Sequence, residues 1–291
     1  MSNHPLAEVF GFPTSNQSQR AKQHREHRLC PYNNHVPNCT KDKADDPLGV
    51  CSIFEDSGIA ITCPIRFRQD WLITIDAAKF FFQPSVSWTS LTEVRLNDKY
   101  GKSAGNIDIV LVAYENGRVV DFGSLEVQAV YISGNIRRPF QKYMENPEKH
   151  QNMDWSTQRN YPRPDYLSSS RKRLVPQLLY KGGILKSWRK KQAVAIHSGF
   201  FDTLPSLQEV ECEQADIAWL IYDLELDEQT NVYQLRLKRT VYTMFKPAID
   251  QIITAEPGSL DEFVDALQEK LEQKLENRDA ELSDLTLSDL L

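Results

Sequence analysis

The chain has 291 residues, of which 41% are hydrophobic and 10% aromatic, and its formal net charge is −6. This apolar content can fill one large core or two modest ones, and it excludes a mainly disordered protein. The N-terminus lacks the apolar core of a signal peptide and no run of about 18 apolar residues occurs, so we expect a cytoplasmic protein with no membrane partner.

Charge is distributed unevenly along the chain. Between Glu256 and Leu291 there are eleven acids and three bases, a net charge of −8, so the remaining 255 residues carry +2. The segment 163–191 contains nine bases and one acid, Asp165. Such basic segments are typical of proteins that bind phosphate backbones, although a solvated protein face can have the same composition. The negative total therefore does not exclude a nucleic-acid partner.

The N-terminal region, 1–67, is predicted to be a loop-rich subdomain organised by a metal ion. Four of the five cysteines lie in it, at Cys30, Cys39, Cys51 and Cys63. Clustered cysteines in a reducing compartment are more often metal ligands than disulfide partners, and four thiolates suit Zn²⁺ or a single iron ion. The spacing lacks the closely paired cysteines of common zinc sites, so four free buried thiols remain an alternative.

A basic cluster precedes the first cysteine. Its arginines, Arg20, Arg25 and Arg28, are predicted to contact DNA once the metal-organised loop brings them onto the duplex. A single cluster of this kind is more often a solvated face. The second basic segment, at 163–191, favours DNA binding.

The segment 71–97 has a mixed pattern and leads into the most apolar part of the chain. Phe80, Phe81 and Phe82 are predicted core residues. Glu93 is predicted to lie on a helix, where its carboxylate can either join a metal shell or simply face solvent.

A β-hairpin is predicted next. The apolar run 107–114 forms its first strand, and the Asn116-Gly117 pair is typical of the tight primed turn that joins antiparallel strands. The returning strand is predicted to cover 118–133.

Two carboxylates and an amide are expected to converge on this hairpin. Side chains alternate along a strand, so Glu126 and Gln128 project from one face, and Asp108 lies on the partner strand. Mg²⁺ prefers oxygen ligands and is commonly held by one or two carboxylates with phosphate oxygens. We predict that Asp108 and Glu126 bind Mg²⁺ and that Gln128 orients a water or a phosphate. An exposed polar hairpin edge would also fit the spacing, but burying unpaired charges in so apolar a segment is costly, which favours a site.

The segment 137–164 is predicted to be irregular, and 166–190 to be helical with a break at Gly182-Gly183. The helix carries side chains that can hydrogen-bond guanine edges or phosphates. Those predicted to contact DNA are Ser168, Ser169, Ser170, Arg171, Arg173 and Gln177.

Further strands are predicted at 193–196, 219–223 and 232–237, and a capped amphipathic helix begins at Ser259. Strands interleaved with helices indicate an α/β fold with a central mixed sheet. The predicted domains are a cysteine-rich subdomain (1–67), a core with the DNA-binding helix and loops (68–250), and an acidic helix and tail (251–291). DNA would repel this acidic helix, so we expect it to pack on the body or at a dimer seam.

The cysteine segment and the hairpin together resemble the NotI-type restriction endonucleases over 5–245. The resemblance is carried by Cys30-Pro31-Tyr32, Gly49-Val50-Cys51, Cys63-Pro64-Ile65, Gly105-Asn106-Ile107-Asp108 and Leu125-Glu126-Val127-Gln128. It implies a PD-(D/E)xK nuclease core whose catalytic residues are Asp108, Glu126 and Gln128, with Glu93 as a further carboxylate. It also implies a mononuclear iron held by the four clustered cysteines.

The resemblance further implies a prokaryotic homodimer that binds double-stranded DNA and cuts GC-rich palindromes. Two positions differ from the wider nuclease pattern. Ile107 stands where proline is frequent, and Gln128 stands where lysine is frequent. The second difference removes a positive charge that would otherwise stabilise the developing charge on the phosphate.

We therefore predict a Mg²⁺-dependent type II restriction endonuclease, a site-specific deoxyribonuclease that leaves 5′-phosphate ends. One alternative is a metal-stapled, sequence-specific DNA-binding protein with a degenerate nuclease fold. Another is a non-specific or repair nuclease, which would not give discrete fragments.

Overall fold

The N-terminal region forms a small antiparallel sheet. The computed structural model describes residues 3–34, 36–42, 45–55, 58–254 and 257–276. The four strands are β1 (Leu6–Val9), β2 (Phe12–Pro13), β3 (Val50–Glu55) and β4 (Gly58–Ile61), in the order β2-β1-β3-β4. These strands are not predicted from the sequence, because strands of two to six residues are too short to show a period in it.

A helix and the cysteine-bearing loops connect β2 to β3. Helix α1 (Gln19–Glu26) begins after Ser18, whose hydroxyl accepts a hydrogen bond from the backbone N–H of Ala21. After β4 the chain forms a 3₁₀ segment, Pro64–Trp71, and then helix α2 (Leu72–Phe81).

A mixed six-stranded sheet forms the centre of the fold. Its strands are β5 (Trp88–Asn97), β6 (Ser103–Glu115), β7 (Arg118–Gln128), β10 (Gln192–His197), β11 (Ile217–Asp227) and β12 (Val232–Thr243). A separate pair consists of β8 (Tyr131–Ser133) and β9 (Arg163–Asp165). The order in the large sheet is β12-β11-β10-β7-β6-β5, and the pairs β7 with β10 and β10 with β11 are parallel. The predicted α/β class with a central mixed sheet is confirmed.

The predicted hairpin is present as β6 and β7. Asn116 (φ 50°) and Gly117 (φ 77°) both adopt left-handed backbone angles, as a type I′ turn requires. The returning strand ends at Gln128 rather than at Ser133, because β8 leaves the sheet and pairs with β9.

The region between β8 and β9 contains helices, contrary to the prediction of irregular structure. Helix α3 (Arg137–Glu145) buries Phe140 and Tyr143, which are three residues apart on one face, and α4 (Pro147–His150) follows it. Pro139 lies in the first turn of α3, where backbone N–H groups have no partner within the helix, so the N–H that proline lacks costs no helical hydrogen bond.

One helical segment, here called the bulged helix (166–187), covers the central sheet. It consists of α5 (Tyr166–Ser169), a π-helical turn (Ser170–Leu174), α6 (Val175–Gln177), a second π-helical turn (Leu178–Gly182) and α7 (Gly183–Ser187). The predicted break at Gly182-Gly183 was wrong, since both residues have helical backbone angles. A Cβ at Gly182 would lie 2.6 Å from the Phe245 ring, so this glycine serves close packing rather than a turn.

The central sheet has an apolar layer on each face. On one face, Val194 and Trp219 pack with Leu174 of the bulged helix and with Leu6 and Val50 of the N-terminal sheet. On the other face, a second layer brings residues of α2 against β6, β7 and β10: Ile73, Ala77, Ile109, Leu125 and Ala195. The two sheets therefore share one core.

The described residues up to Ile252 form one compact unit, and those from Ile253 onward form a second. Helix α8 (Ser198–Phe201) belongs to the first unit, and helix α9 (Phe245–Ile253) ends at the boundary between the units. The second unit contains helix α10 (Leu260–Glu276). As predicted, Ser259 caps α10 by accepting a hydrogen bond from the backbone N–H of Glu262. None of the described helices is both long and apolar enough to cross a bilayer.

Candidate active site

The two predicted carboxylates lie on neighbouring strands, Asp108 on β6 and Glu126 on β7. Glu126 pairs with Val194 of β10, and Gln128 pairs with Ile196. Both β10 residues belong to the apolar layer under the bulged helix. Because paired residues on adjacent strands project from the same face, Glu126 and Gln128 point into that layer.

Asp108 is held by the neighbouring strand. Its Oδ2 accepts a hydrogen bond of 2.8 Å from the backbone N–H of Val127. Burial raises the pKa of the Asp108 carboxyl, the hydrogen bond from Val127 and the charge of Lys181 lower it, and the charge of Glu93 raises it again. Asp108 is therefore a half-buried acid whose pKa is set by its partial burial and by its neighbours Val127, Lys181 and Glu93.

Glu126 is the most perturbed acid of the site. Its side chain is 1% exposed. Burial, followed by the nearby charge of Asp108, raises the pKa of Glu126 to about 7. Its Oε1 is buried without a hydrogen-bond partner within the described part of the chain. Two neighbouring carboxylates with an unsatisfied oxygen are a donor set that fits a divalent cation.

Lys181 of the bulged helix completes this cluster. Its Nζ donates to Glu126 Oε2 at 2.6 Å and to the backbone carbonyl of Asn106 at 2.8 Å. Sequence reasoning counted Lys181 only among the bases of 163–191. Lys181 follows Gln177 by four residues, so the sequence places both side chains on one face of the predicted helix. The sequence does not indicate which strand that helix face packs against.

Gln128 is engaged by the same helix. Its Nε2 donates to Gln177 Oε1 at 2.5 Å, so the two amides form a link between β7 and the bulged helix. Gln177, predicted to contact DNA, is therefore placed beside Gln128, where it also lines the cleft described below.

Glu93 lies on strand β5, not on a helix as predicted. It stands opposite Asp108, between the pairs Thr92 with Ile109 and Val94 with Ile107. Its φ of 54° is left-handed and rare for a non-glycine residue, and such strain is concentrated at functional sites. The helix prediction failed because β5 alternates half-buried and exposed side chains, a weak pattern in the sequence.

A cleft of about 680 Å³ opens beside Asp108, Gln128 and Gln177. Asp108 and Gln128 line it from the strands, and Arg173 lines it from the bulged helix. Lys41 and Cys63 line it from the cysteine-bearing loops. The cleft therefore lies between the three elements that the sequence analysis associated with catalysis, DNA contact and metal binding.

The four clustered cysteines line one small cavity. Burial is the main cause that raises the pKa of the Cys30 thiol to about 11, and the neighbouring thiols Cys63 and Cys39 act in the same direction. Burial likewise raises the pKa of Cys39 and of Cys51. Among the described residues, however, no three His, Cys, Asp or Glu side chains are already arranged so that they could hold a metal ion. The thiols are thus gathered but do not form a coordination shell.

Two of the predicted DNA contacts are internal. Arg25 is 3% exposed, and its guanidinium donates to the carbonyls of Asn16 and Pro13, both at 2.8 Å. Ser169 is buried, and its hydroxyl accepts from the backbone N–H of Tyr131 and donates to the carbonyl of Asp165.

The other predicted DNA contacts lie nearer the surface. Arg20, Arg28, Arg171 and Arg173 are exposed, and Ser168 and Ser170 are half-buried. Arg28 pairs with Asp46, and Arg173 stacks over the Tyr131 ring at 5.1 Å beside the cleft. Their contacts with DNA stay predictions.

A mixed sheet that presents the Asp108 carboxylate to a cleft with basic residues at its rim, with the buried Glu126 on the neighbouring strand, suits the enzymes that hydrolyse nucleic acids. The sequence model of the family described as restriction endonuclease NotI matches residues 14–235, which is more than half of the chain. The chain belongs to this family, and it is accordingly a type II restriction enzyme, a site-specific endonuclease that binds and cuts DNA. No curated protein matches the chain.

Proposed function

We propose that this restriction enzyme hydrolyses double-stranded DNA at a GC-rich palindromic site in a Mg²⁺-dependent reaction that leaves 5′-phosphate ends. The catalytic residues are Asp108, Glu126 and Gln128, with Glu93 as an additional carboxylate. The family resemblance supports the kind of DNA site and the product ends. The structure supports the residue assignment through the following observation.

The buried carboxylate pair carries the proposal. Asp108 lines the cleft, Glu126 stands behind it, and Glu126 Oε1 is buried without a hydrogen-bond partner among the described residues. A buried acid whose pKa is raised by a second acid is typical of functional sites rather than of stable cores. A core that served only stability would be better filled by apolar side chains.

Each residue has a distinct task in this proposal. Asp108 and Glu126 would hold Mg²⁺, which when bound polarises the phosphodiester and makes water a better nucleophile. The hydrogen bond from the backbone N–H of Val127 to Oδ2 fixes the orientation of the Asp108 carboxylate and so also fixes the position of Oδ1. Gln128, oriented by Gln177, places an amide at the cleft wall where it can hydrogen-bond a phosphate oxygen or a water.

We also propose that Cys30, Cys39, Cys51 and Cys63 bind one iron or zinc ion. Four sulfur donors around one cavity are a set that suits either ion, and binding would draw the thiols together with loss of their protons. Cys63 lines both this cavity and the cleft. The bound ion would therefore stiffen one wall of the cleft.

A homodimer and a duplex-binding surface complete the proposal. A two-fold symmetric dimer matches the symmetry of a palindrome, so that each subunit cuts one strand. Arg171 and Arg173 are exposed on the bulged helix, and Arg173 lines the cleft; in this proposal their guanidinium groups bind phosphates or guanine edges.

The proposal predicts that Asp108→Asn abolishes cleavage. The metal contributes several kcal/mol to transition-state stabilisation, so plasmid cleavage in Mg²⁺ should fall by at least about 100-fold. Asp121→Asn is the matched control, because Asp121 is a half-buried acid on the same strand as Glu126 that pairs with Lys190 instead. Binding of a DNA fragment in Ca²⁺ should persist in both variants.

Cleavage by Asp108→Asn at the rate of the unmodified protein would refute the assignment of Asp108. An unmodified protein that binds DNA but never cuts it would instead favour a binding protein with a degenerate nuclease fold. A smear rather than discrete fragments from a long DNA of known sequence would contradict site-specific cleavage.

A further inference from the structure

The position of Lys181 is not explained by stability. Its side chain is 4% exposed and pairs with Glu126, whose side chain is 1% exposed. The cost of removing two charges from water largely offsets their attraction, so a buried ion pair of this kind contributes little to folding. The Lys181–Glu126 pair lies behind the cleft, and Asp108 lines the cleft. This location indicates that the pair serves the active site.

Lys181 is a cation that acts on both acids. Burial raises the pKa of the Asp108 and Glu126 carboxyls, and the ammonium of Lys181 opposes that effect on each. Gln128, which projects beside Glu126, is neutral and is engaged by the Gln177 amide. The strand itself thus supplies no positive charge at position 128, whereas the helix supplies one next to Glu126.

The geometry of the bulged helix positions the Lys181 ammonium next to Glu126. Gln177 and Lys181 are four residues apart and meet Gln128 and Glu126, which are two residues apart on β7. Lys181 lies in the π-helical turn Leu178–Gly182, and such turns occur frequently at functional sites. At Gly182 a Cβ would lie 2.8 Å from the Gln192 side-chain oxygen, so glycine there allows the helix to approach the sheet closely.

We propose that Lys181 is a positioning residue of the nuclease site, which supplies from the helix the positive charge that Gln128 cannot supply from the strand. It holds Glu126 Oε2 and so leaves Oε1 available for the cation that Glu126 and Asp108 would hold. It also compensates one of the two negative charges. Lys181 contacts Glu126 and not the cleft, so its action is through Glu126. This inference rests on the proposed function, in which Glu126 binds Mg²⁺.

The test compares three changes at this position. Lys181→Met removes the charge, Lys181→Arg keeps it, and Gln128→Lys combined with Lys181→Met moves it to the strand. Lys238→Met is the control, because Lys238 forms an exposed pair with Glu225. Single-turnover plasmid cleavage in Mg²⁺, the DNA dissociation constant in Ca²⁺ and the unfolding temperature are measured for each full-length variant.

Lys181→Met should lower the cleavage rate constant by about 100-fold and leave the DNA dissociation constant within about twofold. Lys181→Arg and the double variant should each cleave at least about tenfold faster than Lys181→Met, since each restores a cation near Glu126. Lys238→Met should cleave like the unmodified protein. A lower unfolding temperature of Lys181→Met is expected for either role, because the change leaves Glu126 buried without its partner. A merely structural role would lower the DNA affinity together with the cleavage rate, and a positive charge at position 128 would not restore either.

Two outcomes would overturn the inference. One is a Lys181→Met protein that cleaves at the unmodified rate. The other is a Lys181→Met protein that loses cleavage while neither charge-bearing variant recovers it. If Lys181→Met does not fold, Lys181→Gln, which keeps a donor for the Asn106 carbonyl, takes its place under the same criteria. Asp108→Asn separates the two hypotheses, because its inactivity supports the proposed function whatever Lys181 does.

Discussion

At the scale of single residues, His4 shows how burial constrains a protonation state. Its Nδ1 accepts a hydrogen bond of 3.1 Å from the backbone N–H of Leu6, and its Nε2 lies 3.2 Å from the His150 carbonyl. This network assigns the neutral tautomer with the proton on Nε2. Burial lowers the pKa of His4, and the two backbone hydrogen bonds raise it less.

We predict that His4 decreases the free energy of unfolding as the pH falls from 7 to 5, whereas Glu126, whose pKa burial raises to about 7 in the folded chain, acts in the opposite direction over the same range. The pKa of His4 is lower in the folded chain than the ordinary value near 6.5, so the unfolded chain binds the proton first and is favoured at acid pH. Burial also lowers the pKa of His197, so both residues contribute to the slope. Urea unfolding at several pH values measures it.

His4→Gln tests the share of His4 in this dependence. Glutamine has a donor and an acceptor but does not titrate, so between pH 7 and pH 5 the variant should lose less unfolding free energy, or gain more, than the unmodified protein. Identical slopes would show that His4 does not titrate differently in the folded and unfolded chains.

At the scale of elements, the cysteine cavity joins parts of the chain that are separate in sequence. Cys30 follows α1, Cys51 lies in β3 and Cys63 follows β4. The backbone N–H of Cys63 donates to the Cys51 carbonyl at 3.2 Å, which ties the end of β4 to β3. The antiparallel pairing of these strands, rather than the spacing of the cysteines, brings the thiols to one cavity.

We predict that the purified protein contains about one equivalent of iron or zinc per chain and that Cys63→Ser loses most of it. Because the thiols must lose protons to bind the ion and burial raises their pKa, metal content should also fall in acid. Elemental analysis by mass spectrometry measures both effects. Cys212→Ser is the control, since Cys212 is outside the cavity. Equal metal content in the two variants, or none in the unmodified protein, would contradict the proposed site.

The elements differ in how far their sequences predict them. Strands β10 and β11 and the β6–β7 hairpin carry long apolar runs and a clear turn signal, and all three form at the predicted places, although β7 ends five residues earlier than predicted. The strands of the N-terminal sheet and helix α3 are short, and packing on the shared core stabilises them. Gly182 and Gly183 are helical, and close packing explains the glycine at 182, where a Cβ would lie 2.6 Å from the Phe245 ring and 2.8 Å from the Gln192 side-chain oxygen.

At the scale of the whole molecule, two units of different charge share one chain. The net charge of −6 is the sum of −8 in 256–291 and +2 elsewhere. Helix α10 contains many of the acidic residues of 256–291, and it also has an exposed apolar stripe that includes Phe263 and Leu267. The matched family covers 14–235 and so does not include this helix.

We predict that a chain ending at Ala255 binds non-specific DNA more tightly than the full chain at low salt. A tethered acidic unit repels phosphates, and the difference should vanish as the screening length falls to about 10 Å near 0.1 M salt. Fluorescence anisotropy over a salt series measures it. A full-length control with amides in place of Asp261, Glu262, Asp265, Glu269 and Glu272 should behave like the shortened chain, and equal affinities at every salt concentration would contradict the charge argument.

The sequence by itself determined the α/β class, the hairpin and the placement of Glu126 and Gln128 on one strand face. These features follow from local rules, since alternation along a strand and the angles of an Asn-Gly turn need no distant partner. Tertiary structure alone decided that Lys181 meets Glu126 across 55 residues of chain and that Arg25 and Ser169 point inward. It also placed Glu93 on a strand opposite Asp108. The reason is that a helix face finds its partners through the packing of whole layers, and the identity of a side chain does not specify which layer it will meet.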